Sequence, residues 1–450
     1  MASPIVFHST DSGAPAGPSG TLGTLLATLD GCLICRMVFT STDLAGTTSI
    51  VDNTNKARSQ STATNAGTWL PFQTATPGAA TDACFIGLSA KFDRVKLSLS
   101  TPGTSVVDFV VEYWNSGAWV AVSGLSDGTS GLTASGTITW TIPSDWVTKA
   151  LNSVTCYWIR LRYTSYSVMP IAQYCTVTGW TQAYGPTSNE TAYQQGGGNL
   201  VFYDINDNGP GAGTTKEARV QGYETMSAIA TGTGAFPTTA ASFIRKSSLG
   251  TTGSPDGTAR AYVIIADDRT AIVFISTGDT AGKYSPFYIG DTFSLVPNDN
   301  YRSAVFANGA ENTATPTNSL IYMLTLGTTK TGSYLDRAYH GVGAAAVIGM
   351  HTDSIKWAGG VGTVPFPNGA DGGLWLAPIN IHEASSTIRG RLRGLLCVCH
   401  ATANFTDGDT FSGAGAYAGR TFLIVKTVDA GSGGTTGFIA IETSNTWETD

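Results

Sequence analysis

Three groups of residues in this chain have the types and spacing to do chemistry. The words CLIC at 32–35 and CVCH at 397–400 bring Cys32, Cys35, Cys397, Cys399 and His400, and thiolates with an imidazole suit a tetrahedral zinc ion. The spacing is not that of a zinc motif, and both words sit in apolar sequence, where Cys behaves as a small hydrophobe. Buried thiols are the expectation, with a disulfide, an inter-subunit thiol or a metal role as the alternatives. The chain holds seven Cys, an odd number, so at least one thiol stays unpaired within it.

The second group is DINDNG at 204–209, where Asp204, Asn206 and Asn208 alternate ahead of Gly209 like the first half of a calcium loop. The second half fails, because the twelfth position is Thr215 where a bidentate Glu is wanted. Asp, Asn and Gly are also what a tight turn demands, so a turn between strands is the expectation and calcium the alternative. No metal and no cofactor is expected.

The third group is VEYWNSGAWVAV at 111–122, two arms joined at Asn115-Ser116-Gly117 with Tyr113, Trp114 and Trp119 around the turn. Exposed aromatics beside a turn stack on sugar rings or on a protein partner, yet a β-sandwich also needs large side chains to close its core. Alternation puts Val111 and Tyr113 on one face of the strand and Glu112 and Trp114 on the other. Tyr113, Trp114 and Trp119 are thus candidate contact residues for a glycan or a protein, against packing within the hairpin.

Hydrolytic chemistry has no visible home. His8, His340, His351, His382 and His400 show no HExxH spacing, and no Ser stands in a G-x-S-x-G elbow. Carboxylates gather in turns, as at Asp267-Asp268 and Asp407-Gly408-Asp409, where no motif pairs them as a glycosidase would. The chain is expected not to be an enzyme.

The elements that must position these residues are mostly strands. Charged residues make up only 13% of the 450 and Gly accounts for 54, against a usual charged share of about a quarter. That balance favours an all-β protein of short strands and many turns. The net charge of −7, with 25 Lys and Arg scattered along the chain, offers no footprint for nucleic acid. No apolar run approaches the roughly 20 residues that span a bilayer, and MASPIVFHSTDSG lacks the basic and apolar segments of a signal peptide. Synthesis and folding in a cytoplasm are therefore expected.

One helix is predicted, over about 20–30, where Leu22, Leu25, Leu26 and Leu29 share a face, Ser19 stands as N-cap and Gly31 as stop. Between 80 and 178, KFDRVKLSLS, VVDFVVEYWN, AWVAV, GTITWTI and CYWIRLRYTS read as strands of a sandwich or jelly roll. In CYWIRLRY, Tyr157, Ile159, Leu161 and Tyr163 fall on one face and Arg160 and Arg162 on the other. Residues 141–146 could start a short helix capped by Ser144, with Trp146 turned inward. From 179 onward the strongest hairpin is AYVIIADDRTAIVFIS, two apolar arms about Asp267-Asp268-Arg269.

These words together have a resemblance. The opening FHSTDSGAPAGPSGTLGTLLATLDGCL, the stretch EARVQGYETMS, the DDR hairpin and the closing IRGRLRGLLCVCH, DGDTF and GRTFLIV resemble a family of virion structural proteins of tailed bacteriophages and prophages. The stretch between them resembles a second module recurrent in phage virion proteins. Its marks here are Glu112-Tyr113-Trp114 with Trp119, then Trp140, Pro143, Asp145 and Trp146, then Tyr157-Trp158-Ile159-Arg160 with Arg162.

The resemblance implies a split β-rich main domain at 1–67 and 179–450, interrupted by an inserted sandwich at 68–178. It also implies residence in the virion, assembled in the host cytoplasm in multiple copies against other virion proteins, without fixing the place; an inserted sandwich on a β platform suits a peripheral appendage, so the tail, baseplate or head-tail region is the expectation. A capsid decoration protein, or an adhesin reading a host-surface glycan through the insert, are the alternatives. It brings no catalytic residue.

Overall fold

The computed structural model describes residues 4–11, 14–34, 36–41, 49–52, 83–106, 108–151, 154–163, 166–168, 170–187, 189–207, 217–239, 242–246, 257–276, 284–307, 332–338, 341, 346–352, 375–383, 387–399, 408–428, 436–444 and 447. The protein is all-β, with antiparallel sheets and one α-helix, Thr24–Leu33, among the described residues. Two compact units form: Met1–Val6 with Ala16–Leu26 and Gly185–Asp450, and Phe7–Pro15 with Ala27–Tyr184.

The smaller unit starts well before the expected boundary at 67/68, and hydrogen bonding gives the reason. Strand Arg36–Ser41 pairs with both Ser49–Asp52 and Ala83–Leu88, so it belongs to a sheet whose next members are Val154–Arg162, Val110–Trp114 and Trp119–Ala121. Lys149–Leu151 pairs with the start of Val154–Arg162. A second sheet runs Ile171–Thr176, Arg94–Thr101, Gly136–Thr139, Ser126–Asp127. The end of the helix is tied to the same unit, where Thr178 Oγ1 donates to Leu33 O at 2.5 Å and Ser89 Oγ to Gly31 O at 3.2 Å.

The helix itself departs from expectation at both ends. Leu25, Leu26 and Leu29 are buried, but Leu22 lies ahead of the first turn and is 47% exposed. Ser19 Oγ accepts from Thr21 N–H at 3.1 Å, while the Leu25 N–H is capped by Asp207 Oδ2 at 3.2 Å, a partner 182 residues away. Gly31 does not stop the helix, which runs on to Leu33. A Cβ at Gly31 would lie 2.8 Å from the Pro15 ring, so the residue is small because the chain passes close to it.

In the larger unit a long sheet orders Tyr262–Ala266, Thr270–Ser276, Tyr284–Asp291, Ser303–Phe306, Ser333–Leu335, Ala346–Thr352, Trp375–Glu383, Thr387–Cys399, Thr436–Glu442, Thr421–Val428 and Thr410–Ser412. The DDR hairpin forms as predicted: Ala266 pairs with Ala271, and Asp267 Oδ1 accepts from the N–H groups of Arg269 and Thr270 at 2.9 and 2.7 Å. Its core gathers Ile265, Ile272, Phe274, Tyr288, Phe306, Ile379, Leu392, Leu423 and Ile439. A second sheet runs Glu190–Gln194, Phe202–Asn206, Glu217–Ala228, with Thr231–Phe236 and Ser242–Arg245 on the two ends of the last strand.

Strand Thr387–Cys399 buries arginines beside its apolar residues. Ile388 is 38% exposed, whereas Arg389 and Arg393 are buried. Arg389 forms a bidentate pair with Asp299, Nε to Oδ2 at 2.7 Å and Nη2 to Oδ1 at 2.8 Å, and its Nη1 meets Glu383 Oε2 at 2.5 Å. Arg393 Nη2 donates to Asp267 Oδ2 at 2.6 Å and Nη1 to Thr270 Oγ1 at 2.7 Å. Charges enter the interior where each meets a fixed counter-charge and further hydrogen bonds.

Candidate functional site

The inward face of the strand pair Val110–Trp114 and Val154–Arg162 is set by alternation. Val111, Tyr113, Ile159 and Leu161 are buried, with Tyr113 directly across from Ile159. They face an aromatic cluster centred on Trp146, which lies 6.3 Å from Tyr113, 5.8 Å from Tyr157 and 5.0 Å from Phe92 between ring centroids. Trp140 closes the cluster at 5.6 Å from Phe92. Tyr113 donates its hydroxyl to Asp145 Oδ1 at 2.9 Å, and that hydrogen bond to a carboxylate raises the phenol's pKa.

Residues 141–146 make a turn and not a helix. The turn is held by Trp146 N–H reaching Pro143 O at 3.4 Å, and by Lys91 Nζ donating to the carbonyls of Pro143 and Ser144 at 3.3 and 3.1 Å. Pro143, Asp145 and Trp146 thus form a plug that inserts Trp146 into the sandwich.

The outward face of the same strands carries the rest of the module's words. Trp114 and Trp119 stand directly opposite one another across the hairpin, T-shaped at 5.5 Å. Both are half-buried. Trp119 also packs on Phe85 at 5.2 Å, and beneath lies a small apolar cluster of Phe85, Cys156 and Trp158, with Leu151 and Val154 against it. Trp158 is fully buried, its indole N–H donated to Lys149 O at 2.8 Å. The Lys149 ammonium sits 3.6 Å from the Trp114 ring centroid and the Arg160 guanidinium 5.0 Å from that of Trp119, so each ring holds a cation on one face.

Glu112 organises the arginines. Its carboxylate takes Arg160 Nε at 2.5 Å, Arg162 Nε at 2.8 Å and Arg162 Nη2 at 2.9 Å. Burial would raise the Glu112 carboxyl, but the two guanidiniums outweigh it and hold the group below its ordinary range. The same hydrogen bond raises Arg162. What the face presents is therefore two half-buried indoles, each with a cation over its ring, with the acid in their midst satisfied.

Of the three candidate contact residues, the structure brings Trp114 and Trp119 together and separates Tyr113 from them. Tyr113 is a core residue on the opposite side of the sheet, because successive strand residues must point to opposite faces. Lys149 and Phe85 escaped the sequence reading, since nothing near them in the chain marks them as neighbours of the hairpin. Glu112 was legible in principle: an acid alternating with Trp114 on a strand beside YWIRLR is a natural partner for two outward arginines.

The calcium candidates fall elsewhere. Asp204 and Asn206 stand on strand Phe202–Asn206 and not in a loop, while Asn208 lies outside the described residues. Asp204 Oδ2 accepts from Ala230 N–H at 2.9 Å. Burial, then the neighbouring Glu190 charge, raises the Asp204 carboxyl to about 7, against the backbone hydrogen bond. Among the described residues no group of three or more His, Cys, Asp or Glu side chains gathers as a metal site would require.

Cys32, Cys84, Cys156 and Cys175 are buried. The side chains of Cys35, Cys397, Cys399 and His400 lie outside the described residues. No helix among the described residues is long and apolar enough to cross a membrane. No known family model and no curated protein matches the chain.

Proposed function

We propose that this chain is a non-enzymatic structural component of a tailed-phage virion, of the tail, baseplate or head-tail region, assembling there in multiple copies beside other virion proteins. The observation that carries the reading is how the words behind the resemblance are used. Tyr113 of the first module word binds Asp145 of the second, Glu112 of the first binds Arg160 and Arg162 of the third, and Asp267 of the DDR turn takes Arg393 of RGRLR. Each word works as a fold determinant, which supports a structural role.

With those charges satisfied internally, contacts to neighbours would rest on shape-complementary, apolar and hydrogen-bonded surface. The test is mass spectrometry of purified, nuclease-treated particles of the encoding phage or induced prophage. The chain is expected among the particle proteins, and its absence refutes the proposal. Labelled-antibody electron microscopy then separates the tail from a capsid surface, the position a decoration protein would take.

A second reading, an adhesin that reads a host-surface glycan, is favoured by one observation. Trp114 and Trp119 are half-buried on the outward face with Lys149 and Arg160 beside them. Glycan-array binding that vanishes in Trp114→Ala and Trp119→Ala proteins of intact fold supports it, and silence across a broad array counts against it.

A further inference from the structure

Lys246 and Asp207 of the larger unit are sealed from solvent and touch one another, Nζ against Oδ1, with both side chains wholly unexposed. Lys246 directly follows strand Ser242–Arg245, and Asp207 directly follows Phe202–Asn206. Two N–H directions of the Lys246 nitrogen are taken by the carbonyls of Thr21 and Asp207, each at 3.2 Å. The remaining direction meets the Asp207 carboxyl group. The other carboxyl oxygen, Oδ2, accepts from Leu25 N–H at 3.2 Å, and Gly23 adds a second backbone hydrogen bond to the same carboxylate.

This arrangement has the parts of an acyl-transfer site. A nitrogen is held against a carboxyl carbon's substituent with its other hydrogens engaged, and backbone donors at the start of a helix point where negative charge would develop. We propose that the Lys246 amine and the Asp207 carboxyl condense to an intramolecular amide, a covalent crosslink that ties the strand ending at Arg245 to the strand ending at Asn206.

The step balances without any co-reactant. One ammonium proton passes to Oδ1, making a neutral amine and a carboxylic acid. The nitrogen lone pair attacks Cγ, and Oδ2 takes the charge of the tetrahedral intermediate under the Leu25 N–H. Collapse breaks the Cγ–Oδ1 bond, and Oδ1 leaves as water with its own proton and a second one from nitrogen. The single hydrogen left on the amide nitrogen still has a carbonyl to bond. Burial favours the uncharged forms on which this chemistry depends: it lowers the Lys246 pKa and raises that of Asp207, and in each case it outweighs the partner's opposite charge.

The test is the intact mass of the purified full chain measured under denaturing conditions, followed by tandem mass spectrometry of its digest. The expected result is a chain one water lighter than its sequence, with a branched peptide joining Asp207 to Lys246, and a Lys246→Arg chain of full mass. A wild-type chain of full sequence mass, or a water loss mapped to any other residues, overturns the proposal. The wild-type measurement stands whether or not the variant folds.

Discussion

Gly87 tests the packing of the outward face most directly. It lies in strand Ala83–Leu88 opposite Trp158, and a Cβ built on it would stand 2.3 Å from Cε3 and 2.6 Å from Cδ2 and Cζ3 of that indole. Trp158 has little room to yield, being fully buried, packed with Phe85 and Cys156, and bonded through Nε1 to Lys149 O. In Gly87→Ala the ring must tilt off its rotamer, at about 1 kcal/mol, and weaken that hydrogen bond, about 1 kcal/mol more. Overpacking of its neighbours adds roughly 1 kcal/mol. The lower chain entropy of unfolded Ala offsets about 0.7 kcal/mol, leaving a net loss of roughly 2 kcal/mol.

For a unit of this size that is a fall in Tm of about 4–8 °C. Seven of the ten Trp lie within 27–184, so thermal and urea unfolding followed by Trp fluorescence reports on the smaller unit. Gly117→Ala is the control, since a Cβ there meets nothing within 4 Å, and its stability should stay within about 0.5 kcal/mol of wild type. A Gly87→Ala protein as stable as wild type, or a Gly117→Ala protein equally destabilised, refutes the reasoning.

Glu112→Gln should cost about 2 kcal/mol through its charge-assisted bonds to Arg160 and Arg162. It should also flatten the acid limb of the stability profile. The wild-type carboxyl, held below its ordinary 4.5, contributes above that value and loses the contribution as pH falls through the folded pKa. Asp204 works in the opposite sense. With its pKa raised from 3.8 to about 7, its contribution is full below 3.8 and is lost as pH rises through 7, at a slope of at most about 1.4 kcal/mol per pH unit. Asp204→Asn should remove that decline in a series of urea midpoints between these two values. Arg393→Met, which strands the buried Asp267 carboxylate, should cost about 3–5 kcal/mol. Adding Asp267→Leu should recover part of it, and a double variant no better than the single one counts against the pair.

What was legible in the sequence was whatever local periodicity controls. Alternation in YWIRLR placed Ile159 and Leu161 inside and the arginines outside, and the DDR hairpin closed where two apolar arms met an acidic turn. Periodicity failed where a distant residue decides. The helix is capped by Asp207, not Ser19, and Gly31 yields to Pro15 instead of ending the helix. Strand Arg36–Ser41 joined the smaller unit because its partner Ala83–Leu88 lies across a long stretch of chain. The candidate site divided for the same reason: Trp114 and Trp119 are mates within one hairpin, while Lys149 and Phe85 reach them only through pairing with Val154–Arg162. A reading by hydropathy would also turn Arg389 and Arg393 outward, since it carries no information on where Asp299 and Asp267 lie.

The smaller unit's two sheets finish at one margin in stubs. Trp119–Ala121 is three residues long and Ser126–Asp127 two, and only residues 122–125 separate them. A long open strand edge is a template on which another copy of a chain can add its own strand, and it becomes a hazard when many identical chains are synthesised together. Stubs this short expose too few backbone donors and acceptors to hold an incoming strand in register. At this margin, then, crowding of identical copies would have to proceed through side-chain surfaces and not through a growing sheet, which keeps association separable from aggregation.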